Sequence, residues 1–375
     1  MGGLKFLLAA GGTGGHLWPA LSLARALKKA RPEADCLFVG AGRPIEARIL
    51  DQSGFDRVVL PAGGWKGLGA LARFSALARS LAGFRAALGL VRAYRPRVFF
   101  GAGGYVTGPA GLAAWLCRVP LAVHEQNSRA GLSNKLLGRL ADRVMLGFGE
   151  AAPAFPSAKV VITGNPVRPE IEALHQRERA FGHSPLTVLV TGGSQGARGL
   201  NLAAAPALAG LARRGLAVSV IHQAGADDLA EVRKIYAEAG AAAEVEDFFQ
   251  DMAALYRRAD LVVSRAGAIT VSELAAARLP AVLVPLPTAA DDHQTHNARR
   301  LETAGAALLK PQAGLTSADL AETLAGLLSR PERLAAMSRA AGSLASLDAA
   351  GRMAEICLEL AGVESPPPAA GSGRE

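Results

Sequence analysis

Acidic residues are missing from a long stretch of this chain. Between Asp56 and Glu125 there is none, while Arg57, Lys66, Arg73, Arg79, Arg85, Arg92, Arg95, Arg97 and Arg118 stand there. The net charge of the 375 residues is +9, so this span carries the whole excess, and elsewhere 32 basic residues balance 32 acidic ones. Such a block faces something anionic: lipid head groups, nucleic acid or phosphorylated ligands. Cysteine is scarce too. Cys36, Cys117 and Cys357 are scattered in apolar contexts, which argues against a disulfide framework or a metal set and fits reduced core residues of a cytoplasmic protein. No apolar run approaches the roughly 20 residues of a membrane span. The start, MGGLKFLLAAGG, is too short and glycine-broken for a signal peptide and reads as a first strand. Interleaved stacking aromatics are few in the basic block, so it suits an anionic membrane surface better than a nucleic-acid groove, with no nucleic-acid partner expected. No GxSxG, Walker or kinase set is present. His293 and His296 have no third ligand nearby. No DxD-type carboxylate pair ends a strand, so no cofactor and no obligatory metal ion are expected.

What is present is a repeated strand, glycine turn and helix. Leu4 to Ala9 is a short apolar strand ending in Ala10-Gly-Gly-Thr-Gly-Gly-His16, with a helix expected over Leu17 to Lys29. Glycines there let a ligand approach the backbone, and a helix N-terminus favours an anion. The turn is neither the dinucleotide GxGxxG nor a P-loop. His16, at its mouth, suits proton transfer near neutral pH. A second turn, Gly101-Ala-Gly-Gly-Tyr-Val-Thr-Gly-Pro109, follows the strand Val98 to Phe100. Leu121 to Val123 is a strand ending in His124-Glu125-Gln126-Asn127. Those four polar side chains either meet a ligand at the strand's carboxyl end or cap a helix before Gly131. From Leu71 to Val91 apolar residues recur at spacings of three and four, an amphipathic helix read as a crossover packed on a sheet. The preceding loop exposes Trp65 and Lys66.

Thr163 to Pro169 reads as an extended linker, because two prolines suppress helix. The pattern then restarts with the strand Leu186 to Val190 and Thr191-Gly-Gly-Ser-Gln-Gly-Ala-Arg198, whose Ser194 is placed like Thr13 in the first unit. Ser264 to Asn297 follows the apolar strand Leu261 to Val263. There Gly267 turns the chain and Thr270-Val-Ser-Glu273 opens a helix, either as a capping box or with its free N–H groups facing an anion. A Pro-punctuated loop leads on to Asp291, Asp292, His293, Gln294, His296 and Asn297. These features predict an α/β protein of two similar Rossmann-like domains separated by a cleft. The expected divisions are 1–164 and 165–347, with a last helix near 348–360 that returns to the first domain and a disordered tail at 363–375.

Six stretches in this order resemble the MurG family of glycosyltransferases: GGTGGHLWPAL at 11–21, GGYVTGPAGLAAW at 103–115, HEQN at 124–127, TGNPVR at 163–168, GGSQGAR at 192–198 and GAITVSELAAARLPAVLVPLP at 267–287. The resemblance covers roughly residues 4 to 360. It implies the GT-B fold. It also implies an inverting transfer of N-acetylglucosamine from UDP-N-acetylglucosamine to the 4-hydroxyl of the undecaprenyl-diphosphate-linked muramyl-pentapeptide, lipid I, giving lipid II. The implied location is peripheral, on the cytoplasmic side of the inner membrane. For the donor it implies Thr13, Gly14, Gly15, Asn127, Arg168, Ser194, Phe249, Ala268, Ile269, Thr270, Val271, Ser272, Glu273 and Gln294. Among these Glu273 would hold the ribose, Phe249 would meet the uracil through its backbone, and Gln294 would reach the sugar. For the acceptor diphosphate it implies Gly12, Gly103, Gly104 and Tyr105. His16 is expected to be the general base, with Glu125 as the second candidate. The TAADDHQ loop departs from the family in its acidity. A soluble UDP-N-acetylglucosamine 2-epimerase of the same fold is the alternative.

Overall fold

A computed structural model describes residues 3–11, 14–61, 70–193 and 196–363, with the side chains at 14, 45 and 70–78 outside it. Gly12, Thr13, Trp65, Lys66, Ser194, the side chain of Arg73 and the tail from 364 onward therefore lie outside the described residues. The chain forms two compact units and passes between them at Gln126/Asn127, Arg129/Ala130, Pro166/Val167 and Leu347/Asp348.

The first unit contains β1 (Lys5–Ala9), α1 (Gly14–Ala30), β2 (Asp35–Gly40), α2 (Pro44–Asp51), β3 (Arg57–Val59) and α3 (Ala70–Tyr94). It continues through β4 (Val98–Gly101), α4 (Thr107–Leu116), β5 (Leu121–Glu125), α5 (Leu132–Leu140), β6 (Arg143–Leu146) and β7 (Val160–Ile162). The second begins with α6 (Pro169–Glu172), β8 (Leu186–Thr191), α7 (Arg198–Arg213), β9 (Val218–Gln223), α8 (Leu229–Glu238) and β10 (Ala243–Glu246). Then come α9 (Met252–Arg258), β11 (Leu261–Ser264), α10 (Ala268–Ala276), β12 (Ala281–Leu283), α11 (His293–Thr303), β13 (Ala307–Leu309), α12 (Ser317–Leu328) and α13 (Pro331–Ser343). Helix α14 (Ala349–Leu360) belongs to the first unit again.

Both sheets are parallel. Their strand orders are β3-β2-β1-β4-β5-β6-β7 and β10-β9-β8-β11-β12-β13. Counted from its own first strand, each runs 3-2-1-4-5-6, the doubly wound order, which β7 extends by one strand in the first sheet, with a switch point between the first and fourth strands. Register brings the switch-point loops level: Ala9 pairs with Gly101, and Thr191 with Ser264. The central strands are buried from end to end, as in β4, β5 and β11, which is why they read as unbroken apolar runs. Apolar clusters cover both faces of the first sheet. One joins Phe6, Leu8 and Phe100 to Leu17, Leu21, Met353, Cys357 and Leu358, so α14 supplies part of that core. The other joins Leu7, Phe99 and Val123 to Ala87, Val91 and Ala110. In the second unit Val188, Val220 and Val263 pack against Leu200, Leu208, Leu320 and Leu324.

Three local expectations are corrected. Helix α10 begins at Ala268 with Gly267 as its cap. Thr270 is therefore its third residue, and Glu273 pairs with Arg168 instead of closing a capping box. The stretch at 293–297 is not loop: α11 starts at His293, behind Asp291 and Asp292, both left-handed with φ near 55°. Among its described side chains, α3 is a crossover helix only in its later part. Phe84, Leu88 and Val91 pack on the sheet, but Leu81 of the same stripe is 49% exposed. At 25 residues and about 1.5 Å per residue, α3 far outruns the four-residue strand it precedes.

Candidate active site

In the first unit the two glycine turns pack on each other. The Gly11 N–H donates to the Gly103 carbonyl at 3.3 Å. Gly104 sits at φ +92°, where a Cβ would come within 2.1 Å of the Gly11 carbonyl oxygen. A Cβ on Gly103 (φ +101°) would press on the His16 ring at 3.0 Å. These glycines are thus needed for turn-on-turn approach, whatever ligand they also admit. Thr107 anchors the second turn, donating to the Gly103 carbonyl at 2.7 Å. Tyr105 stands exposed beside it.

His16 lies in the first turn of α1, and its Nδ1 is 3.2 Å from Oε1 of Gln126. Gln126 is buried at the carboxyl end of β5. Its amide nitrogen donates to the Ala102 carbonyl at 2.7 Å and reaches Nδ1 of His124 at 3.2 Å. The Nε2 of His124 faces the Gly164 carbonyl at 3.2 Å. Complete burial pushes the His124 imidazole down to about 4, so it is neutral near pH 7. Glu125 is buried as well, and its Oε2 accepts from the Gly131 N–H and from Asn134 Nδ2, both at 2.9 Å. It secures the start of α5.

In the second unit, α10 points its N-terminus out of the β11 switch-point loop. Its first intrahelical bond runs from the Val271 N–H to the Gly267 carbonyl, which leaves the amides of Ala268, Ile269 and Thr270 for an anion. Ser272 turns its hydroxyl back to the Ala268 carbonyl at 2.9 Å. Glu273 is buried and held at both oxygens. Arg168 donates to Oε1 at 2.9 Å and the Tyr256 hydroxyl to Oε2 at 3.1 Å. Burial pushes the Glu273 carboxyl above its ordinary value, while Arg168 and Tyr256 pull the other way. Burial and the adjacent carboxylate keep the Tyr256 hydroxyl protonated. Each carboxylate oxygen retains a lone pair for a further donor.

Gln294, in the first turn of α11, accepts with Oε1 from the N–H groups of Ala266 (3.2 Å) and Leu286 (3.0 Å). That orients its NH2 as the donor remaining for a ligand. Asn297 is buried and accepts from the Ser128 N–H, while donating to Asn127 Oδ1 and to the Ala266 carbonyl. Asn127 and Gln294 are thus tied to the same loop. Gln223 bridges two further pieces. Its nitrogen donates to the Gly193 carbonyl at 2.8 Å, and its oxygen accepts from the Phe249 N–H at 3.1 Å. Phe249 consequently has its carbonyl, not its N–H, left for a base. Arg265 is buried and donates to the carbonyls of Val284 and Pro285 and to Gln312 Oε1.

Gln223, Tyr256, Arg265 and Asn297 are supports to which the sequence assigned no role. Tyr256 is 17 residues from Glu273 and on another helix, so no spacing could have linked them. Gln223 ends a strand, which was the one available signal. His293 and His296 belong to no group of metal-ligating side chains among the described residues. The first unit's sheet edge is strongly basic at its opposite end. Arg92, Arg95, Arg97 and Arg118 line an open cavity of about 710 Å³ with Val91, Leu116 and Val119, ahead of β4 and β5. It lies at the amino ends of those strands, away from the glycine turns.

Two family models match this chain: the glycosyltransferase family 28 N-terminal domain over residues 6–146 and the C-terminal domain over residues 187–353. A relative from Myxococcus xanthus, the UDP-N-acetylglucosamine–N-acetylmuramyl-(pentapeptide) pyrophosphoryl-undecaprenol N-acetylglucosamine transferase, is 42% identical over 95% of this chain and 93% of its own length. The chain belongs to glycosyltransferase family 28. Among solved structures, the Acinetobacter baumannii MurG crystal structure superposes with a TM-score of 0.78 at 32% identity, over 95% of this chain and 99% of that one. Family 28 membership and this superposition identify the paired sheets as the two Rossmann-like domains of a GT-B glycosyltransferase. A putative UDP-N-acetylglucosamine 2-epimerase from Listeria monocytogenes superposes with a TM-score of 0.68 at 17% identity, over 97% of this chain and 99% of that one, a likeness of fold alone.

Proposed function

We propose that this chain transfers N-acetylglucosamine from UDP-N-acetylglucosamine to the 4-hydroxyl of the muramyl sugar of lipid I, giving lipid II. Likeness to transferases of that name, 42% identical over 95% of this chain, carries the proposal, and the chemistry of the two switch points agrees with it. In the second unit, the amides at the start of α10 and the turn at Gly192-Gly193 receive the UDP diphosphate, and the resemblance adds Ser194, which lies outside the described residues. Glu273, braced by Arg168 and Tyr256, accepts from the ribose hydroxyls, the Phe249 carbonyl accepts from the uracil, and the Gln294 amide donates to the sugar. Asn127 stands beside Gln294 through Asn297. Thr13, Gly14 and Gly15 complete the donor contacts. Gly12, Gly103, Gly104 and Tyr105 receive the acceptor diphosphate.

The 4-hydroxyl oxygen forms its bond to the anomeric carbon as the bond from that carbon to the diphosphate oxygen breaks. The electron pair leaves with UDP, and the hydroxyl proton passes to Nε2 of His16. Glu125, already accepting two hydrogen bonds where it secures α5, is the weaker candidate for that proton. Charge developing on the departing diphosphate is met by helix-start amides and Arg168.

The membrane is reached through α3 and α4. Leu81, Leu112, Trp115 and Leu116 are exposed there, among Arg79, Arg85, Arg92 and Arg118. Among the described residues no helix is long and apolar enough to cross a bilayer. In the proposed peripheral contact apolar side chains insert while arginines meet anionic head groups. The deciding experiment is transfer of labelled N-acetylglucosamine to a short-chain lipid-linked muramyl acceptor, run beside UDP-N-acetylglucosamine alone. Labelled lipid product is expected only with acceptor present. Conversion of the nucleotide sugar without acceptor would make the chain an epimerase.

A further inference from the structure

The hydrogen bonds around Gln126 have a chemical direction. The Ala102 carbonyl can only accept, so the Gln126 atom 2.7 Å from it is the amide NH2. The same nitrogen is 3.2 Å from His124 Nδ1 and 3.3 Å from the His124 carbonyl. On its other side His124 faces the Gly164 carbonyl, again a pure acceptor, so the His124 proton sits on Nε2 and its Nδ1 carries a lone pair toward Gln126. Both ends of this chain are therefore fixed by backbone carbonyls. Gln126 can only turn its oxygen to His16, and an amide oxygen only accepts. Nδ1 of His16 must then hold its proton, and Nε2 is left as the basic nitrogen. Only glycine fits at 103 beside the ring, since a Cβ there would come within 3.0 Å of its Nδ1 and Cε1.

We propose that Gln126 is a positioning residue that locks His16 in the Nδ1–H tautomer and so presents Nε2 as the proton acceptor. This rests on His16 being the general base. The tautomer of a catalytic histidine is set by the partner of its other nitrogen, and in serine proteases a residue that imposes the wrong tautomer ruins catalysis while the geometry survives. Gln126 would do this without a charge. Its carboxylate neighbour Glu125 is engaged at α5, and the neutral His124 adds none.

The test uses the full-length chain with nitrogen-15-labelled histidine, the His16 signals being assigned by their loss in His16→Ala. The native protein should show His16 protonated on Nδ1 near neutral pH. In Gln126→Leu and in the longer Gln126→Met, both tautomers should appear. In the same variants kcat should fall roughly ten- to a hundredfold, with the KM for UDP-N-acetylglucosamine unchanged. A native His16 protonated on Nε2 would overturn the proposal even if neither variant folds. So would an unaltered tautomer in a folded variant. A lost tautomer with undiminished kcat would instead remove His16 as the base, which separates failure of that assignment from failure of the lock.

Discussion

A histidine in the first turn of a helix acts through whichever nitrogen its neighbours leave bare. For His16 that is Nε2, and replacing the ring removes the first-choice proton acceptor. His16→Ala is expected to lower turnover about a hundred- to ten-thousandfold, with UDP-N-acetylglucosamine binding unchanged by calorimetry. Retained turnover would hand the base role to another group. Two other histidines matter for stability. Burial holds His124 at about 4 and His222 at about 3, whereas an unfolded chain protonates histidine near 6.5. Below that value the unfolded state binds more protons, so the stability present above pH 6.5 is lost as pH falls toward 4 and then 3. The slope is up to about 1.4 kcal/mol per pH unit for each histidine. Denaturant midpoints measured from pH 7 to 4.5 should fall, and a double His124→Asn, His222→Asn variant should fall less steeply.

At the scale of elements, the glycine turns decide more than the helices they open. Gly104→Ala would place a methyl group against the Gly11 carbonyl in a backbone region that suits glycine. We expect a loss of about 1–3 kcal/mol, read by thermal unfolding, and a weakened acceptor KM with an unchanged donor KM. Both turns could be read in the sequence because each ends a short apolar strand and contains glycines in a row. The last helix, expected near 348–360, forms at Ala349–Leu360. Elements such as α2, α5, α8 and β6 were not legible, being short. The start of α11 hid behind its polar first turn, whose side chains bind loops instead of capping the helix. His16 and Glu273 were legible as polar residues beside glycine turns. Gln223 and Tyr256 were not, because each acquires its partner only when separate strands and helices come together.

The whole molecule uses one sheet order twice and gives its charge to one copy only. The arginine-rich span falls in the first unit, on β3, α3 and the loops that precede β4 and β5. Replacing Arg79, Arg85 and Arg92 together by Gln should weaken binding to anionic vesicles about a hundredfold, at about 1 kcal/mol per charge. Binding to zwitterionic vesicles, and transfer to a water-soluble acceptor, should stay as they were. Unaltered partitioning on anionic vesicles would leave the basic span without a role at the membrane. The fold also sets an order on the ribosome. Met353, Cys357 and Leu358 complete a core whose other members, from Phe6 to Met145, were translated before the whole of the second unit's 167–347 segment. A nascent chain must therefore finish the entire second unit while the first still waits for its closing helix, which leaves a half-covered apolar face that a chaperone or the membrane surface itself could shelter until release.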